Sequence, residues 1–238
     1  RAPRAPAVLL IVTIRSGERA PSGIPEDARV IDLAGLSSAE GRELVETFSA
    51  RIAPALAADA EMLVREADGH PLFLHELLMH AAETGISSGV VHLEVVLFDR
   101  IQRLQVPARQ LLEVLAVGGA PIPFVIAAQA ANLEPAETTR VLAILRVALL
   151  ARTTGFGATA VLEVYHDRIR ETLVARLPEQ QRTAIHVRLA DALEGARPEL
   201  LDSRALVRHL EAAGEPELAS VRRTQAPRAQ SSLPPHTL

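Results

Sequence analysis

The sequence predicts a mainly α-helical protein with a small α/β remnant at its start. Apolar residues recur at helical spacing through most of the 238 residues, the pattern of amphipathic helices. The chain is 48% apolar but only 3% aromatic, so its core is built from Leu, Val, Ile and Ala. β-Like runs are short and lie near the N-terminus and on either side of Gly155-Phe156-Gly157.

Taken in order, Ala7–Thr13 (AVLLIVT) is a continuous apolar run with β-branched residues. It reads as a central parallel strand buried on both faces. After a Gly/Pro/Ser loop, Ala28–Leu33 reads as a second parallel strand. Two such strands do not make a stable sheet, so their neighbours are expected upstream in the polypeptide. Ser37 and Glu40 have capping-box spacing, and Leu44, Val45, Phe48 and Ile52 line one face of the helix that follows. Pro54 ends it, and Asp59 is a candidate cap for the next helix, to Ala67. Gly69 suits a position just past a helix end, and Pro71 the first turn of a helix to about Ala82.

Leu93, Leu97, Ile101 and Leu104 again keep helical spacing. Helices follow at Ala108–Val117, Phe124–Ala131 and from Pro135, with Val141, Leu142, Leu145 and Leu149 on the apolar side. Leu150–Thr153 and Thr159–Tyr165 flank Gly155-Phe156-Gly157 as a hairpin. Three helices and a hairpin are the order of a winged-helix domain, closed here by a helix from His166 to Leu177. Gln181–Leu193 and Ser203–Ala213 are amphipathic, and their spacing resembles the opening of a tetratricopeptide-type (TPR-like) array. From Arg222 onward apolar content is too low to fold, and a disordered tail is expected. The resulting division is 1–53 (end of an α/β domain), 54–90 (helical lid), 91–177 (winged helix), 178–221 (TPR-like helices) and 222–238 (tail).

Composition removes several functions. The net charge is −4, against a broad nucleic-acid surface, which needs clustered positive charge. Without cysteine there is no disulfide, thiol catalysis or thiolate metal site. The apolar runs are too short to cross a bilayer. The opening Arg1-Ala-Pro-Arg-Ala-Pro lacks a starting Met and is unlike a signal peptide; it reads as interior sequence of a longer polypeptide. The expected location is cytoplasmic. All 25 basic residues are Arg, so no P-loop lysine is available. His75 and His80 suggest a zinc-protease motif with one residue too many. Five positions along a helix place them about 140° apart, which excludes a shared metal.

Four residues are candidates for nucleotide contact. Arg15 follows the first strand, and strand ends of open α/β sheets face the ligand crevice; a guanidinium there suits a γ-phosphate. Taken alone, the residue fits an ordinary solvated Arg at a strand end better. Gly69 and Pro71 bracket His70 between two helices, and the Pro ring offers a flat apolar face to an adenine. Helix punctuation alone also explains both residues. His166 precedes Asp167 at a helix start, where the ring can donate to a phosphate and the carboxylate suits the helix dipole. A capping Asp beside a partly buried His is the plainer alternative.

In type and order, Thr13-Ile14-Arg15, Gly69-His70-Pro71 and Tyr165-His166-Asp167 resemble three motifs of the signal-transduction ATPases with numerous domains (STAND). That family includes the nucleotide-binding cores of apoptotic and plant immune receptors and large bacterial LuxR-type regulators. The resemblance spans roughly residues 7 to 195. It implies a sensor Arg at Arg15, a G-x-P lid motif at Gly69 and Pro71, and a His that contacts ADP phosphate at His166. The third motif departs from the family's Met-His-Asp at its first position. Leu36-Ser37-x-x-Glu40 is also similar to family text. What the resemblance implies is the rear of a truncated P-loop sheet, a lid, a winged helix and the start of a sensor array, with ATP/ADP as ligand. Mg²⁺ is expected only where a P-loop half completes the site. The chain alone is expected to be non-catalytic. Expected partners are the rest of its own polypeptide (a P-loop domain and an effector domain), with self-association or a protein partner through the array. The alternatives are a winged-helix DNA-binding regulator and a helical protein-binding adaptor. Arg140 and Arg146 are the only basic residues on the candidate recognition helix Pro135–Val147, which disfavours the first.

Overall fold

The computed structural model describes residues 9–13, 25, 28–52, 59–85, 91–155, 160–197, 200 and 202–225. The chain divides into two units, Arg1–Gly35 and Leu36–Leu238. In the first, residues 9–13 and 28–35 carry no regular secondary structure, which corrects the two predicted parallel strands. A strand exists through its ladder hydrogen bonds, and neither segment pairs among the described residues. Leu9, Leu10, Ile11, Val30 and Leu33 are exposed. The apolar runs reported a tendency to be buried without supplying a partner.

The second unit is helical. Its elements are α1 (Ser38–Ile52), α2 (Ala60–Glu66), α3 (Pro71–Thr84), α4 (Leu93–Gln102), α5 (Val106–Gly118), β1 (Ile122–Pro123), α6 (Phe124–Ala130), α7 (Pro135–Val147), β2 (Ala151–Thr154), β3 (Val161–Val164), α8 (Asp167–Arg176), α9 (Glu179–Glu194), α10 (Ser203–Ala212) and α11 (Pro216–Gln225). The strands form one antiparallel sheet in the order β1-β3-β2. Every strand pair among the described residues is antiparallel; the parallel pair predicted for Ala7–Thr13 and Ala28–Leu33 does not appear among them. The predicted hairpin is present, with Ala151 opposite Val164 and Thr154 opposite Val161. β1 is two residues long and adds an edge to β3, with Ile122 opposite Leu162.

The capping box at α1 forms as its spacing requires. The Ser37 amide and hydroxyl both donate to Glu40 Oε2, at 2.8 and 2.6 Å, and the Glu40 amide donates back to Ser37 Oγ at 3.3 Å. These contacts hold Glu40 below the usual carboxylate range. Ser37→Ala removes the hydroxyl and is expected to cost about 1 kcal/mol. A lower urea midpoint at constant slope is the readout; an unchanged midpoint would mean that the box contributes nothing. Asp59, by contrast, makes no side-chain cap bond at α2, contrary to its predicted role.

The core centres on α5, whose Leu111, Leu112 and Leu115 are fully buried. It packs against α6, α7, α8, α9 and β3. Each such Leu contributes roughly 1.5–3 kcal/mol of burial. Toward the N-terminal end the same core continues through Leu63, Leu74, Leu77, Leu78, Leu93 and Leu97. Toward the C-terminal end, α9 packs on α10 and α10 on α11, burying Leu189, Leu206, Leu210 and Ala219. The predicted tail begins too early. α11 runs on through Arg222 to Gln225, with Arg222 paired to Glu194 at 2.8 Å and Arg223 to Glu211. Residues 226–238 lie outside the described residues.

Candidate functional site: a three-ring junction between two helix starts

The link from α2 to α3 is tight. Asp68 and Gly69 both adopt positive φ, 49° and 66°, so the left-handed turn begins one residue before the predicted glycine. That geometry aims the Gly69 carbonyl at the Leu36 amide, which donates to it at 2.7 Å. It also brings the two backbones so close that a Cβ on Gly69 would lie 2.6 Å from the Leu36 carbonyl oxygen. His70 then extends as the residue before α3, because Pro71 disfavours helical backbone in its predecessor. Pro71 takes the first helical position, where its missing N–H leaves nothing unpaired, and is exposed. Phe73, in the first turn, is buried.

At the second helix start, β3 ends at Val164 and the Tyr165 amide donates to the Leu150 carbonyl at 3.0 Å. His166 follows in extended conformation and caps α8. Its Nδ1 accepts from the Arg168 amide at 3.2 Å. Capping at α8 therefore falls to His166 itself, while Asp167 lies exposed in the first turn, 3.6 Å from Arg170. The bond also assigns the tautomer: with Nδ1 accepting, the neutral ring carries its proton on Nε2.

These two helix starts meet. The His166 ring stands edge-on to His70, at 4.8 Å between centroids, and to Phe73, at 4.7 Å; His70 lies tilted on Phe73 at 4.4 Å. His70 Nδ1 is buried without a hydrogen-bond partner, and burial, then the neighbouring His166, lowers the His70 pKa. The junction is braced from α4: Arg168 pairs with Glu94 at 2.8 Å, and Glu66 Oε1 accepts from the Leu93 amide at 2.8 Å.

Of the sequence-predicted site residues, Gly69, Pro71 and His166 thus belong to one neighbourhood, with His70 as the link. Arg15 lies outside the described residues. A cleft of about 610 Å³ opens beside Gly69, lined by Leu36, Ser37, Arg42, Arg65 and Asp68 among others; Pro71 and His166 are not in its walls. Sequence reasoning passed over His70, the middle residue of the G-x-P motif, and Phe73, two residues after it. Their significance depends on a ring that arrives from α8.

Among the described residues, Glu66, His92 and Glu94 bring ligand atoms within 4.8 Å of one another. Both carboxylates already serve the α2–α4–α8 contacts above. His75 sits against Phe48, with centroids 6.1 Å apart and rings nearly perpendicular. Among those residues, no helix is long and apolar enough to cross a membrane. No protein-family model matches the chain, and no curated protein matches it either.

Proposed function

We propose that the chain is the nucleotide-sensing part of a STAND-type ATPase switch, one that responds to ATP or ADP and does not hydrolyse it alone. The observation that carries this reading is the packing of His166 on His70 and Phe73. It joins the G-x-P turn and the His-Asp helix start, which are remote in sequence. A switch that closes a lid on ADP needs this junction, because the two motifs must report on one ligand. The capping bond leaves His166 with Nε2–H as its donor, the form in which a neutral imidazole offers a proton to a phosphate oxygen.

The unmet His70 nitrogen supports a second packing. A buried polar atom without a partner costs roughly 1–3 kcal/mol, and movement of α8 against α3 would return it to water. Two packings of similar energy are what a ligand can select between. The run α5–β1–α6–α7–β2–β3 reads as a winged helix, and α9 to α11 as the start of a TPR-like array. Leu218 and Val221 on α11 are half exposed, an apolar edge for a further helix or a protein partner. DNA reading is disfavoured because Arg140 on α7 has Glu137 3.9 Å away.

The test belongs in the full polypeptide, carrying a P-loop half. There His166→Ala removes a hydrogen bond to phosphate that nets roughly 1.5–3 kcal/mol. ADP release is then expected to quicken about ten- to a hundredfold, measured by displacement of a fluorescent ADP. Asp167→Ala is expected to change release much less and to act mainly on helix stability. Equal release from wild type and His166→Ala, or a full polypeptide without a P-loop, would remove the reading.

A further inference from the structure

The C-terminal side of the molecule holds a second candidate site, separate from the three-ring junction. α8, the first half of α9 and the ends of α5 and α10 enclose a cleft of about 300 Å³. Arg170, Arg182, His186 and Glu179 are its charged or titratable walls. Glu179, Arg182, Thr183 and His186 recur three and four residues apart, so α9 presents them on one face. Arg182 is half-buried, and no carboxylate among the described residues pairs with it. A guanidinium offers five donors and has no neutral form at working pH, so this one is poised for an anion.

A second, independent feature lies directly behind the wall. His186 Nδ1 is 2.9 Å from Nδ1 of His209, and His209 is 2% exposed. The pair shares one proton between those nitrogens, which leaves Nε2 as the His186 atom available to other partners. Arg208 of α10 adds a third guanidinium nearby and donates to the Gly118 carbonyl at 3.3 Å. Positive charge therefore converges from α8, α9 and α10. Against it stand exposed Glu179 in the cleft, Asp167 beside Arg170, and Asp202 near His209.

We infer that this cleft binds the phosphate group of a small molecule. Arg170 and Arg182 approach from different helices, an arrangement suited to separate oxygens of a tetrahedral dianion by charge-assisted hydrogen bonds, and His186 donates to a third oxygen through Nε2–H in the tautomer where His209 Nδ1–H donates to His186 Nδ1;. The volume is at the lower end of small-molecule sites, larger than a bare ion requires and too small for a macromolecular surface.

The experiment titrates the 238-residue chain at pH 7 and low salt, following the His186 ring by NMR. Inorganic phosphate and glycerol 3-phosphate are the two probes. Both are expected to shift the His186 signals saturably. Arg182→Gln is expected to weaken both at least tenfold while the circular dichroism spectrum stays unchanged, and Arg182→Lys to restore part of the affinity. Tighter glycerol 3-phosphate identifies an organic ester as the source, tighter inorganic phosphate the free ion, and either supports the site. Unmoved His186 signals at millimolar probe, or equal binding by wild type and Arg182→Gln, overturns it.

Discussion

Gly69→Ala is expected to lower Tm by roughly 5–10 °C, given 2–4 °C per kcal/mol for chains of this size. Two costs add. An Ala at φ 66° pays about 1–2 kcal/mol for left-handed backbone. Its Cβ would also sit 2.6 Å from the Leu36 carbonyl oxygen. Backbone cannot swing aside as a side chain does, so the strand of chain entering α1 must shift. That strains the 2.7 Å bond from the Leu36 amide to the Gly69 carbonyl, itself a net contribution of about 0.5–1.5 kcal/mol. Gly85 supplies the control. It has the same φ of 66°, yet a Cβ there meets nothing within 4 Å. Gly85→Ala therefore reports the backbone cost alone and is expected to lower Tm by only a few degrees. Equal Tm losses in the two variants would show that the Leu36 contact is absent in solution.

That contrast also separates what the sequence made legible from what it did not. The capping box of Ser37 and Glu40, the Pro-initiated helix at Pro71 and the hairpin around Gly155 are local: each needs residues within a few positions, so spacing was enough. A glycine past a helix end was equally visible at Gly69. Its close approach to Leu36 was not, because that contact is set by where α1 enters. The failure at Ala7–Thr13 has the same origin. An apolar run states that burial is favourable and is silent on its partner, whereas a strand is defined by its partner. α11 outran its predicted end for the complementary reason. Arg222 and Arg223 look like the start of a polar tail, but Glu194 and Glu211, on other helices, pair with them. In the site, His166 was identifiable from Asp167 beside it. The ring contact to His70 and the His186–His209 pair join residues on different elements, for which no sequence spacing exists.

The His186–His209 pair leads to the second large effect, a loss of stability in mild acid. Burial, then Arg208, then His186 push the His209 pKa down to about 4, with Asp202 opposing. His186 is likewise lowered, by burial and by Arg208 and Arg182. The two rings already share the proton between their Nδ1 atoms, so it is the further proton that this environment resists. In the unfolded chain a His binds that proton near pH 6.5. The folded pKa being the lower one, the stabilisation is complete above about pH 6.5 and is lost as pH falls from there toward 4;. A depression of that size corresponds to about 3 kcal/mol at most. The affected packing is α9 against α10, and α11 follows because it rests on α10. Denaturation midpoints measured from pH 7 to pH 4 in wild type and His209→Gln provide the test, since carboxylate titration is common to both and cancels in the difference. The wild type is expected to lose more stability than the variant over that range, by up to about 3 kcal/mol, and the His209 ring to titrate near pH 4 by NMR. Parallel pH profiles for the two proteins would mean that His209 titrates as it does in the unfolded chain, and that the pair is not buried between α9 and α10.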